Sequence, residues 1–208
     1  MKTIKVRLTL TEEALGMSPT SAEVHKDYIA AKAPDAPTME QEVAEFGVDV
    51  MTEKGMTVFP RMDDGTPYYY NYQIRGMFKD ACGMLRRIDG TESKKCTAYK
   101  KVIDGTVFVN PRQIPIILPE GGEFGKCERP LRAQTAQGER VALASSETVP
   151  VGSTLEFEIE LLNSKDEKLV LEWLDYGKYR GLGQWRNSGR GLFTYDIIEN
   201  NEKDFSLK

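Results

Sequence analysis

The stretch Gly181-Leu182-Gly183-Gln184-Trp185-Arg186-Asn187-Ser188-Gly189-Arg190-Gly191-Leu192 decides how this chain is read. Two Gly-x-Gly units stand five residues apart, with Arg180, Arg186 and Arg190 woven through them. No acidic residue occurs from Lys178 to Arg190. Glycine allows positive φ and lets a backbone approach a ligand closely. Guanidinium groups bring charge and planar donor forks suited to phosphate, and Trp185 brings a π-face on which a base can stack. A lone Gly-x-Gly more often marks a soluble hairpin. Four ordered glycines with a cation cluster and a tryptophan point instead to a loop that contacts nucleic acid. Beyond it, Leu192-Phe193-Thr194-Tyr195-Asp196-Ile197-Ile198 alternates as a closing strand does.

Working outward, the 208 residues suffice for one domain with a real core, and 40% hydrophobic with 29% charged is an ordinary globular balance. No apolar run reaches membrane-spanning length, and Met1 to Arg7 reads as a strand rather than a signal peptide. Cys82, Cys96 and Cys127 form no CxxC pair and His25 is the single histidine, so a Cys/His zinc site is not expected. A reducing cytoplasm is the expected compartment. The net charge of −4 is unevenly spread: 71–140 carries 13 Lys/Arg against 8 Asp/Glu, a local +5, between two acidic thirds. A phosphate senses that local patch within a Debye length of about 10 Å. The competing reading is that Lys94, Lys95, Lys100 and Lys101 only keep loops solvated.

The element pattern is α+β. Lys2 to Leu10 alternates Ile4, Val6, Leu8 and Leu10 as a first strand. Short helices are expected around Ser21 to Ala33 and from Thr38 to Phe46. After the aromatic run Tyr68-Tyr69-Tyr70-Asn71-Tyr72, residues Ile74 to Ile88 read as a helix with Met77, Ala81, Met84, Leu85 and Ile88 on one face. Thr97 to Val109 is expected as a strand region turning at Asp104-Gly105, and the prolines of Ile114-Pro115-Ile116-Ile117-Leu118-Pro119 argue against a central strand. Cys127 to Leu143 alternates around Gln137-Gly138, Thr154 to Leu161 is a clear strand, and Asp166 to Leu174 is a short helix.

Three segments in consistent order resemble the RAMP superfamily, the repeat-associated RNA-binding proteins of CRISPR systems. The glycine loop followed by a closing strand is the first. The second is Tyr72-Gln73-Ile74-Arg75-Gly76-Met77-Phe78-Lys79, similar to the basic-then-Gly opening of the main helix in type III backbone subunits, although the family's preceding Gly-Ser-Ser is missing. The third is Arg129-Pro130-Leu131-Arg132, then Glu147-Thr148-Val149-Pro150-Val151-Gly152-Ser153-Thr154-Leu155-Glu156-Phe157. The resemblance implies a single ferredoxin-like (RRM-like) RAMP domain over 1–208 with inserted lobes about 38–70 and 111–126. It further implies a backbone-type subunit that binds single-stranded RNA, or DNA, and assembles with its own copies or other CRISPR-type subunits, without cofactor or metal. Expected contacts are Arg75, Gly76, Lys79, Arg129, Arg132, Arg180, Gly181, Gly183, Trp185, Arg186, Gly189, Arg190 and Gly191.

Two alternatives accompany this. His25, with Lys26 beside it, stands roughly where the family's RNA-maturing endoribonucleases carry a catalytic histidine. It could protonate a leaving 5′-oxygen while lysine stabilises the phosphate. A lone histidine in a polar segment is more often a surface residue, so binding rather than catalysis is expected. The other alternative is a mobile-element protein that binds single-stranded DNA or mimics a CRISPR subunit. If the 38–70 and 111–126 segments project, Ile114, Ile116, Ile117 and Leu118 are half-exposed; if they fold back, they close the core.

Overall fold

A computed structural model describes residues 1–19, 56–135 and 138–202. In chain order its elements begin β1 (Lys2–Leu10), β2 (Ala14–Leu15), β3 (Ser18–Pro19), β4 (Thr57–Val58), β5 (Tyr68–Tyr70) and α1 (Asn71–Leu85). They continue α2 (Tyr99–Thr106), β6 (Val107–Asn110), β7 (Gln113–Ile117), β8 (Gly125–Thr135), β9 (Gly138–Val149), β10 (Thr154–Leu161), α3 (Glu167–Arg180) and β11 (Phe193–Glu202). His25 and the helices expected over 21–33 and 38–46 lie outside the described residues.

The alternation in β1 translates directly into burial, with Ile4, Val6, Leu8 and Leu10 all inside. This strand pairs antiparallel with β10 on one side and β11 on the other, and β6 and β7 share the far edge of β10. The series β1, α1, β6, β10, α3, β11 therefore gives a sheet ordered fourth-first-third-second, antiparallel throughout. That is the ferredoxin-like arrangement. Helices α1 and α3 pack against each other, with the Phe78 and Trp173 rings 5.6 Å apart, and their buried residues join the apolar faces of β1 and β10 in one core. A second sheet contains the long β8–β9 hairpin, with β2 and β4 paired to β9 and β3 paired to β4.

A buried polar knot fastens α3 to the turn before α2. The Glu172 carboxylate accepts from the backbone N–H groups of Glu92 and Ser93 at 2.8 and 2.9 Å and from the Ser93 hydroxyl at 2.5 Å. Trp173 Nε1 donates to the same hydroxyl at 2.9 Å, so the indole N–H is satisfied inside the core.

Several expectations need correcting. The main helix opens at Asn71, not Ile74, because Tyr70 is still extended (φ −77°, ψ 143°) and its N–H donates to Gln73 Oε1 at 2.7 Å. It ends at Leu85, leaving Met84 and Ile88 exposed. Thr97 to Val109 is a helix before it is a strand, with Ile103 buried in α2. The prolines did not exclude a strand: β7 lies between β10 and β5, with Pro115 opposite Tyr68. The neighbouring Ile116 N–H makes the bond to Pro67 O at 2.8 Å, so the missing proline donor leaves no gap there. Ile114 and Ile116 are buried, Leu118 packs on the core, and only Ile117 is exposed. α3 runs to Arg180, well beyond Leu174.

Two outcomes follow from this packing. Glu172→Gln removes the charge from three hydrogen bonds and should lower stability by about 1.5–3 kcal/mol, seen as a lower urea midpoint at unchanged slope. Burial raises the Cys82 thiol and pushes Cys96 up to about 11, so neither presents thiolate at neutral pH. At pH 7.5 a thiol reagent should modify Cys127, which is partly exposed, long before the other two, as peptide mass mapping over time would show.

Candidate nucleic-acid interface

The glycine loop is a closed ring of backbone. Leu182 N–H donates to Gly191 O at 2.8 Å, and Gly191 N–H donates to Glu13 O at 2.8 Å. Gly181 (φ +78°) and Gly191 (φ +71°) make this closure possible. A Cβ on Gly191 would collide with the Leu182 carbonyl, and one on Gly181 would stand 2.6 Å from Arg190 O. Gly183 (φ +92°) lies against the Tyr69 hydroxyl, whereas Gly189 (φ +77°) faces open space. Three of the four glycines are therefore demanded by close packing within the protein.

The arginines are not free cations. Asp80, on α1, accepts from Arg180 Nε at 3.1 Å and from Arg186 Nη1 at 2.9 Å, while Arg190 Nη1 binds Glu13 at 2.7 Å. The acids that the loop sequence lacks are supplied by distant elements. These are partly exposed pairs, in which side chains retain 24–41% exposure, and such pairs contribute only about 0–1 kcal/mol. A phosphate can therefore compete for the same guanidinium groups, since hydrogen bonds to charged groups contribute about 1.5–3 kcal/mol.

Trp185 takes a left-handed conformation (φ 53°, ψ 33°) rare for a non-glycine residue. Its ring is capped by guanidinium groups, Arg129 at 4.9 Å and Arg190 at 6.0 Å, and remains 39% exposed. Arg129 is 8% exposed, and its Nη2 donates to Gln184 Oε1 at 3.0 Å. Its Nε and Nη1 are buried and have no acceptor among the described residues. Gln184 Nε2 completes the clamp through Gly16 O at 2.5 Å and Thr57 Oγ1 at 3.1 Å. Among the described residues four guanidinium groups (Arg129, Arg180, Arg186, Arg190) face two carboxylates (Asp80, Glu13), a local excess of positive charge.

The structure thus brings together Arg129, Arg180, Gly181, Gly183, Trp185, Arg186, Gly189, Arg190 and Gly191. Arg75 is the fifth residue of α1 rather than its opening. Its Nε is buried without an acceptor, and its side chain makes no hydrogen bond or ion pair among the described residues. Gly76 is exposed with open space around it, and Lys79 pairs with Asp104 at 2.6 Å. Arg132 pairs through its backbone with Val141 in the hairpin, away from the ends where β9 meets β2 and β4. Sequence reasoning missed Asp80, Glu13 and Gln184, because nothing local marks an acid that acts across about 100 residues of chain.

No protein-family model matches the chain, and no curated protein matches it in sequence. One solved structure that it resembles is the Type III-B Cmr-beta bound to cognate target RNA, at TM-score 0.59 and 15% identity over 96% of this chain. The chain spans 60% of the length of that solved chain. The fold is α+β and ferredoxin-like. At this identity the likeness establishes the fold. Among the described residues no helix is long and apolar enough to cross a membrane.

The loop's glycines should separate by role. Gly189→Ala should cost about 1–2 kcal/mol, the penalty for a left-handed alanine. Gly191→Ala should cost at least twice as much, because backbone must move as well, and denaturant melts of the two variants will show the difference.

Proposed function

We propose that the chain binds single-stranded RNA across the glycine loop, Arg129 and the exposed face of α1, as a backbone-type subunit of a CRISPR-like ribonucleoprotein. The observation that carries this reading is Arg129. It is a buried cation over the Trp185 ring, with two nitrogens, Nε and Nη1, that find no acceptor among the described residues. Each unmet buried donor costs about 1–3 kcal/mol, which a purely structural arginine has no reason to bear. Phosphate or base oxygens entering over the half-open Trp185 ring supply those acceptors. Arg180, Arg186 and Arg190 hold the flanking phosphates once Asp80 and Glu13 are displaced or shared. Lys94 and Lys95 pair with Asp89 and Glu92 at the surface, so they add little to the central positive charge, and this reading rests on the arginines instead. The RNA-bound state of the structure it resembles supports RNA as the ligand, and assembly with further subunits, including contacts from the segments about 38–70 and 111–126, belongs to the same proposal.

Binding to a fluorescein-labelled 20-nucleotide RNA of mixed sequence should be largely sequence-independent. It should weaken with salt at a slope of about −0.7 per phosphate engaged. The Arg186→Ala, Arg190→Ala double variant should lose affinity at least about tenfold while its melting point falls only slightly, since the pairs removed are partly exposed. Unchanged affinity in that variant would refute the loop assignment.

A further inference from the structure

A second cluster lies outside the glycine loop, at the start of α1. A cleft of about 490 Å³ opens there, lined by Met62, Tyr70, Pro111, Arg112 and Gln113. That volume lies within the range of small-ligand sites, about 300–1,000 Å³. We propose that it takes one nucleotide of a single strand, the base against the Tyr70–Tyr72 stack and the phosphate on Arg112. The inference extends the single-strand reading above but stands on separate residues.

The aromatic wall is assembled in advance. Tyr70 and Tyr72 are stacked with centroids 5.1 Å apart and planes 18° from parallel. Tyr68 holds Tyr70 from the other side, edge-on at 5.0 Å and 89°, and donates its hydroxyl to Tyr70 Oη at 3.0 Å. Tyr68 is buried, so the stack is anchored in the core, while Tyr72 stays 55% exposed at its outer end. An exposed ring whose partner is already fixed offers a base a stacking surface at little ordering cost.

The cation is available. Arg112 is exposed, and its side chain makes no hydrogen bond, ion pair or ring contact among the described residues. In this it differs from Lys79, Arg180, Arg186 and Arg190, which all have carboxylate partners. Its position is nevertheless fixed, because its carbonyl accepts from Asn71 N–H at 2.9 Å at the first residue of α1. Among the described residues no acid lines the cleft. Asp64, in the turn beside Met62, is engaged with Thr66 N–H at 2.9 Å. Gln113, whose amide reaches the Tyr68 hydroxyl, keeps its carbonyl oxygen as an acceptor for a base edge.

The cleft also connects with the loop. Tyr72, Gly76 and Asp80 succeed one another at four-residue steps along α1, about 12 Å from first to last. Gly76, in the middle, has nothing within 4 Å of where a side chain would begin. A strand running from the Arg180–Arg186–Asp80 group to the cleft thus meets a low, open stretch of helix.

The test uses a 15-nucleotide RNA carrying 4-thiouridine, and a DNA of the same sequence carrying 4-thiothymidine, with the full chain. Ultraviolet cross-linking and peptide mass mapping should place adducts on Tyr70 or Tyr72 for both strands, since the cleft addresses base and phosphate rather than the 2′-hydroxyl. In anisotropy titrations Tyr72→Ala should weaken binding about 5- to 150-fold, the range for one stacked base. Arg112→Gln should reduce the salt slope by about 0.7. Both side chains are exposed, and unchanged melting points will confirm folding; Tyr72→Leu, which keeps apolar cover without a ring, serves as a second probe. If wild type binds and these three variants all match it, the cleft proposal is overturned and the loop assignment stands. If they lose affinity while Arg186→Ala, Arg190→Ala does not, the cleft holds and the loop assignment falls. Failure of wild type to bind either strand overturns both.

Discussion

Closure of the backbone between Leu182 and Gly191 is the constraint on which the rest of the site depends. It is a single reciprocal approach of main chain to main chain, tight enough that no side chain fits at Gly191. Because Gly191 also donates to Glu13 O, and Leu192 O accepts from Thr11 and Glu12, the loop is welded to the chain just after β1. The end of α3, the start of β11 and the exit of β1 are thereby held as one unit. Arg180, Trp185, Arg186 and Arg190 inherit their positions from it.

The electrostatics follow from that rigidity. A flexible arginine-rich loop would spread its charge into solvent and lose side-chain entropy on every contact. Here Asp80 and Glu13 hold three guanidinium groups at low cost, because partly exposed pairs contribute little stability. The carboxylates orient the forks while leaving them open to a stronger partner. Arg129 is the opposite case: buried, lying over the Trp185 ring, and short of acceptors among the described residues. One face of the molecule therefore carries both pre-oriented and under-satisfied donors.

Elsewhere the fold spends polar groups on structure. Glu172 and Ser93 satisfy each other and Trp173 inside the helical layer, and Glu147 accepts from Phe59 N–H at 2.9 Å while pairing with Arg61. In these knots each carboxylate is engaged by at least two donors. The contrast between these knots and the donors of Arg129 and Arg112 that are unmet among the described residues is what the proposed interface rests on.

The sequence by itself determined the strands that have one buried face. In β1 and β10 the two-residue alternation is a direct consequence of the pleat, and the apolar residues read from the sequence are the ones buried. It also marked the glycine loop, since positive φ has few permissive residue types. It misread α2 as strand and argued against a central strand at β7, because short segments carry too little periodicity to outweigh tertiary contacts. Only the tertiary structure decided the state of the loop's charges. Asp80 is about a hundred residues away from Arg180 in sequence yet within 3.1 Å in space, and Glu13 comes from the other end of the chain. A run of arginines without local acids looks free on paper because charge pairing acts through space, and space is set by the fold.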